Sequence, residues 1–207
     1  MGLFLAMSGI ANASESDVEN SLRDYAVSHG GKLIKCAATA ETWEFLILSE
    51  SQPGKVTVQY PGAFMDWDDA AAHLSRSLNV PVFSLHIHDD DLWMYVLFSQ
   101  GEEIDQFNPI PDYWDGELPN EERQLWRGNA TEVARHWPNV RAETIQKYLT
   151  TWNLDDESPG KAYPHDEFSY GDGWQLVDFM KRLGLDYPID NRGRANGRTF
   201  QFVVEGI

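Results

Sequence analysis

Apolar side chains in the first half of the chain alternate between two periods. Residues 3–10 are almost wholly apolar, as in a buried strand. Val18, Leu22, Tyr25 and Ala26 then recur at helical spacing. Ser14 and Ser16 are cap candidates for this helix, and Glu19 stands three residues after Ser16 in the capping-box position. Gly30 and Gly31 stop it. Residues 32–39 and 43–49 read as two strands. The same order then returns: strand 56–62, a helix capped by Asp66 with Ala70, Ala71, Leu74 and Leu78 inward, then strands 81–88 and 92–99. Between the last two, His88-Asp89-Asp90-Asp91 is a hairpin turn by composition. Gln100-Gly101-Glu102 turns again into a strand that ends at Phe107.

This recurrence predicts an internal duplication. Thr42-Trp43-Glu44-Phe45-Leu46-Ile47-Leu48-Ser49 lies 50 positions before Leu92-Trp93-Met94-Tyr95-Val96-Leu97-Phe98-Ser99, matching Trp to Trp, Phe to Tyr and Ser to Ser. The expected fold class is α+β. A duplicated β-α-β-β unit, with repeats at about 1–51 and 55–101, forms an antiparallel sheet with helices on one face. That unit makes a first domain over 1–108. Residues 109–207 are expected to form a mainly helical region packed on it, with helices at 119–127, 131–137 and 141–152 and one opening at Asp172. A long polar loop at 153–171 and a final strand at 199–205 complete the pattern.

Period-two alternation sorts the strand residues by face. Phe83, Leu85 and Ile87 are expected to meet the helices together with Leu92, Met94, Val96 and Phe98. The opposite face would then carry Ser84, His86 and His88 beside Trp93 and Tyr95, with Trp43 from the first repeat. Aromatic walls with a few convergent polar groups suit a ligand pocket, so these six residues form the candidate site. His86 and His88 point the same way on a strand, and imidazole suits zinc or iron. A metal site needs a third ligand, and His136, His165, Asp105 and Asp112 stand at no diagnostic spacing. No nucleophile elbow, phosphate loop or dinucleotide fingerprint occurs. No cofactor is expected.

Charge changes the picture more than composition does. The chain carries 33 acidic and 16 basic side chains, a net of −17. Residues 1–100 hold 13 acids and 5 bases and residues 101–207 hold 20 and 11, so the acidity is spread along the chain. Such a field disfavours nucleic acid and anionic membranes and favours a basic partner. A single cysteine, Cys36, excludes an internal disulfide framework and fits a reducing, cytoplasmic setting. Ala11-Asn12-Ala13 imitates a signal-peptidase site, but the first basic residue is Arg23, so residues 3–10 are read as a strand.

The run Gly101-Glu102-Glu103-Ile104-Asp105-Gln106-Phe107-Asn108-Pro109-Ile110-Pro111-Asp112-Tyr113-Trp114 is distinctive. Together with His88-Asp89-Asp90-Asp91-Leu92-Trp93-Met94-Tyr95, it resembles a family of uncharacterised bacterial proteins. The resemblance is clear over about 30 residues and implies a bacterial origin and no activity. Three function classes follow from the residues. The first is an acidic interaction protein of immunity type that neutralises a basic protein partner. The second is a small-molecule binding domain that uses the aromatic and histidine face. The third is a metal-dependent enzyme.

Overall fold

The computed structural model describes residues 2–37, 42–114 and 116–204. Its chain is α+β, with eight strands in one antiparallel sheet. In chain order these are β1 (Leu5–Ala11), β2 (Gly31–Cys36), β3 (Leu46–Gln52), β4 (Lys55–Gln59), β5 (Val82–His88), β6 (Leu92–Ser99), β7 (Glu102–Phe107) and β8 (Arg198–Val204). Across the sheet they run β2-β8-β3-β4-β1-β5-β6-β7. The apolar N-terminal run is therefore a central strand, paired to β4 on one side and β5 on the other.

Two helices cover one face, α1 (Glu15–Ser28) and α2 (Trp67–Leu78). Val18, Leu22, Tyr25 and Ala26 of α1 and Ala70, Ala71 and Leu74 of α2 are buried against Ile10, Val56, Val58, Val82, Phe98 and Phe200 of the sheet. Ser14 caps α1 in a closed capping box with Asp17. Ser16 and Glu19 do not form the expected box. Glu19 instead holds Arg23 and Arg198. Asp66 stands at the N-cap of α2, but its carboxylate makes no capping bond.

The other face is covered by the chain's second half. Here lie α4 (Ala130–His136) and α5 (Gln175–Leu183), preceded by α3 (Asn120–Leu125), which buries no residue, and joined by long stretches without regular structure. The helix expected over 141–152 is two short 3-10 turns, Ala142–Thr144 and Gln146–Tyr148. Ile145, which joins the two turns, and Tyr148, at the end of the second, are buried and three apart, the spacing of a 3-10 turn. The core of this layer is aromatic. Phe179 of α5 stacks on Tyr95 at 5.6 Å and lies 5.1 Å from Trp93, 5.9 Å from Phe83 and 5.7 Å from Tyr148. Trp93 donates its Nε1–H to Gln175 at 3.2 Å, which satisfies an indole buried from water.

The two halves of the proposed repeat occupy unequal places in the sheet. β5 and β6 are paired neighbours, but β8 comes from the far end of the chain and separates β2 from β3. Residues 43–45 are not strand. Thr42–Glu44 forms a 3-10 turn, and the strand begins at Leu46. Trp43 is consequently 61% exposed, whereas Trp93, its match in sequence, is completely buried. The expected strand at 32–39 ends at Cys36, and residues 38–41 lie outside the described part.

Replacing the hub of the aromatic layer should cost what a large core truncation costs. Phe179→Ala is expected to lower unfolding stability by about 3–5 kcal/mol in urea titration. A loss below about 1 kcal/mol would mean that the second half does not pack on Trp93 and Tyr95.

Candidate functional site

The β5–β6 hairpin decides which residues can share a site. Its turn has three residues, Asp89, Asp90 and Asp91, and pairs His88 with Leu92. The register then matches Ile87 with Trp93, Leu85 with Tyr95 and Phe83 with Leu97. Directly opposed residues on antiparallel strands project to the same face. Trp93 and Tyr95 therefore lie with Phe83, Leu85 and Ile87 under the C-terminal layer, in one continuous core. Ser84, His86 and His88 project to the other face. The expected grouping of the two histidines with Trp93 and Tyr95 is thus corrected by the turn length, because a one-residue shift moves every side chain to the opposite face. Phe83, Leu85 and Ile87 likewise do not meet α1 and α2, while Val96 and Phe98 do.

The histidines open into a groove on the helix-bearing face. Its volume is about 320 Å³, and its walls come from four stretches of the chain. β1 and its lead-in supply Phe4 and Ala6. The link from β4 to α2 supplies Pro61, Gly62, Phe64 and Met65, and α2 supplies Trp67. β5 supplies His86 and His88. None of the lining residues is acidic or a lysine or arginine. Phe4 and Met65 are 50% and 69% exposed, which is unusual for side chains of that size and marks an apolar opening.

Local folding explains each wall. Asp89 and Asp90 both have positive φ, 53° and 63°, a region that aspartate tolerates better than most residues. The turn they form binds the start of the chain. Gly2 N–H donates to Asp89 Oδ1 at 2.8 Å, Leu3 N–H to Asp90 Oδ2 at 3.0 Å, and Asp90 N–H to the Leu3 carbonyl at 3.1 Å. A Cβ at Gly2 would fall 2.2 Å from the Asp89 carbonyl oxygen, so this close approach needs glycine. The strap sets Phe4 edge-on to His88 at 4.8 Å. On the other side His88 meets Trp114 at 5.0 Å and Tyr113 at 5.6 Å. Trp114 Nε1–H donates to His88 Nε2 at 3.4 Å, and the Tyr113 hydroxyl donates to Asp91 at 2.5 Å. That bond to a carboxylate pushes the Tyr113 phenol up to about 12.

His86 lies deeper, 5.3 Å from Trp67. Burial, and then the neighbouring His88, push its imidazole down to about 4, so it is neutral at pH 7. A neutral imidazole offers one donor and one acceptor, and no other described side chain or backbone group takes either. The groove thus presents flat apolar walls with one unengaged polar ring. Among the described residues no three His, Cys, Asp or Glu side chains come together, so no third group joins His86 and His88 as a metal ligand set would require.

Of the six expected site residues, His86 and His88 line the groove and Trp43 stands beside it. The Trp43 carbonyl accepts the Gly62 N–H at 2.9 Å. Ser84 is buried behind the groove and does not line it, and Trp93 and Tyr95 are core residues on the opposite face. Sequence reading missed Phe4, Phe64, Met65, Trp67 and Trp114. The signal for Phe64, Met65 and Trp67 was the apolar content of the turn after Pro61-Gly62. Phe4 was placed inside a buried strand, although β1 begins only at Leu5.

A second recess lies at the acidic edge strand. Tyr95 donates its hydroxyl to Asp105 at 2.6 Å, and the Asn129 N–H donates to the same carboxylate at 3.0 Å. Burial raises the Asp105 carboxyl above the usual range despite these bonds. The surrounding cleft of about 500 Å³ mixes Glu103, Gln106, Gln124 and Arg127, without the apolar walls of the histidine groove.

No family model matches the chain, and no curated protein or solved structure was found to be similar to it. No helix among the described residues is long and apolar enough to cross a membrane.

His86 gives a pH prediction. Its folded value, about 4, lies below the unfolded value near 6.5, so the unfolded chain takes up its proton first. The stability advantage of wild type over His86→Leu should be constant above pH 7 and shrink as pH falls through 6.5 towards 4. The expected change between pH 7 and 4.5 is about 2–3 kcal/mol, read from urea unfolding of both proteins. A pH-independent difference would place His86 in water.

Proposed function

We propose that this protein works by binding, and that the groove at His86 and His88 takes a small molecule with a flat apolar part. The observation that carries this reading is the groove itself: open, aromatic-walled, and holding a neutral imidazole with unused hydrogen-bonding capacity. Ligand sites combine these features, a largely apolar lining and a few polar groups that orient the guest. Trp67 and Phe64 would sandwich the apolar part, and His86 would supply the single directional contact.

Charge narrows the ligand. Asp66 stands between the lining residues Met65 and Trp67, and Asp89, Asp90 and Asp91 follow His88 directly. Carboxylates that neighbour the lining residues in sequence, with no basic residue in the lining, favour a cationic substituent and disfavour an anionic one. A basic protein partner is the second reading. What favours it is the same acidic turn set beside Phe4 and Trp114, since carboxylates and exposed aromatic faces together suit Arg and Lys side chains. An immunity-type role belongs to that reading, and a cytoplasmic setting suits both.

The test is an NMR titration with benzamidine, benzoate and an arginine-rich peptide. Benzamidine is expected to shift the resonances of Gly62, His86 and His88 saturably and to bind more tightly than benzoate. Trp67→Ala should weaken it roughly 3- to 10-fold, the contribution of one aromatic contact. Saturation by the peptide alone would transfer the function to the second reading. If neither probe moves these residues, the groove is not a binding site for cationic ligands.

A further inference from the structure

A second cavity, on the opposite face of the sheet from the groove, has the reverse electrostatic character. It measures about 180 Å³, and its lining includes Gln52, Lys55, Asn139, Lys181, Arg182 and Gly184. No acidic residue lines it, in a chain with 33 carboxylates. Lys55 is the unusual member. It sits on β4 opposite Ala11, and only 6% of it is exposed. Its ammonium donates to the Pro138 carbonyl at 3.3 Å and lies 4.2 Å from the Trp137 ring centroid.

The neighbouring cations are already neutralised. Lys181 pairs with Asp178 at 3.1 Å and Glu167 at 3.6 Å, and Arg182 pairs with Asp166 at 2.7 Å. Lys55 has no carboxylate at ion-pairing distance among the described residues. Buried ammonium groups are ordinarily paired, because leaving water costs several kcal/mol per ion. A carbonyl dipole and an aromatic face recover part of this. The rest shows in the titration: burial alone pushes the Lys55 amine down to about 8. An unpaired buried charge that faces a cavity lacks its counter-ion.

We propose that this cavity binds a small oxyanion, a carboxylate or phosphate group, with Lys55 as its counter-ion. A volume of about 180 Å³ is enough for such a group. Asn139, whose side-chain amide is a neutral donor, stands in the lining with Lys55. Gly184 closes one wall at φ 76°, in the left-handed region that favours glycine. The site shares no lining residue with the histidine groove and does not depend on the groove's function.

The experiment compares inorganic phosphate, acetate and chloride at equal ionic strength and pH 7, on wild type and Lys55→Met. Phosphate or acetate is expected to move the backbone amide resonances of Asn139 and Gly184 saturably in wild type. The bound anion should also raise the titration midpoint of Lys55, read from its 13Cε shift, from about 8 towards the ordinary lysine value. Lys55→Met, which removes an unpaired buried charge and keeps the side chain's length, should unfold no earlier than wild type and lose the saturable response. Saturation by acetate alone assigns the site to carboxylates, and saturation by phosphate alone assigns it to phosphates. A non-saturating drift with both anions overturns the proposal, as does an equal response in the variant. If the variant does not fold, the wild-type Lys55 midpoint decides, and a value unmoved by either anion is the negative result.

Discussion

Three aspartates hold the arrangement together. Asp89, Asp90 and Asp91 close the β5–β6 hairpin with an odd number of turn residues, and that parity fixes which face every β5 and β6 side chain takes. With it, Phe83, Leu85, Ile87, Trp93, Tyr95 and Leu97 form one apolar surface, and α5 and the 3-10 turns close over it. A two- or four-residue turn would mix His86 and His88 into that surface and leave two neutral or charged imidazoles in the aromatic core. Burying such groups without partners costs free energy that a domain of this size cannot spare. The same turn straps down Gly2 and Leu3 and so places Phe4 at the mouth of the groove.

The two faces of the sheet are filled unequally, and this produces both sites. The C-terminal layer has long aromatic side chains that interdigitate with Trp93 and Tyr95, and a gap remains where Lys55 meets the Trp137–Asn139 bend. On the other face α1 and α2 cover the sheet centre with small residues, Ala26, Ala70 and Ala71, which let the helices approach closely. The cover stops before the end of β5, because α2 begins only at Trp67. His86, His88 and Phe4 are left beside the Pro61–Met65 link, with Trp67 against His86 and Trp114 against His88. At the edge of the sheet, Glu102, Glu103 and Asp105 on β7 guard an unpaired strand against edge-to-edge association.

The elements of the first half were legible because each follows a strong local rule. The strand of Leu5–Ala11 and the 3.6-residue spacing of Val18, Leu22, Tyr25 and Ala26 need no tertiary information. What local rules do not carry is pairing. The entry of β8 between β2 and β3 joins residues more than 160 positions apart, such as Thr199 and Cys36. Nothing near Cys36 or Leu46 in the sequence announces it. The site was half legible for a related reason. His86 and His88 were identified from alternation within one strand, but their grouping with Trp93 and Tyr95 required the register between two strands. One residue more or less in an aspartate-rich turn reverses that grouping.

The central claim is that the face bearing Trp93 is sealed while the face bearing His86 and His88 is open, and the eight tryptophans report on it directly. The measurement is 19F NMR of the protein labelled with fluorotryptophan, in the presence of a soluble paramagnetic agent. Trp43 and Trp114, 61% and 49% exposed, should broaden first, and Trp93 and Trp137, both buried, should stay sharp. Broadening of Trp93 together with Trp114 would contradict the account, because it would put the aromatic face of β6 in water.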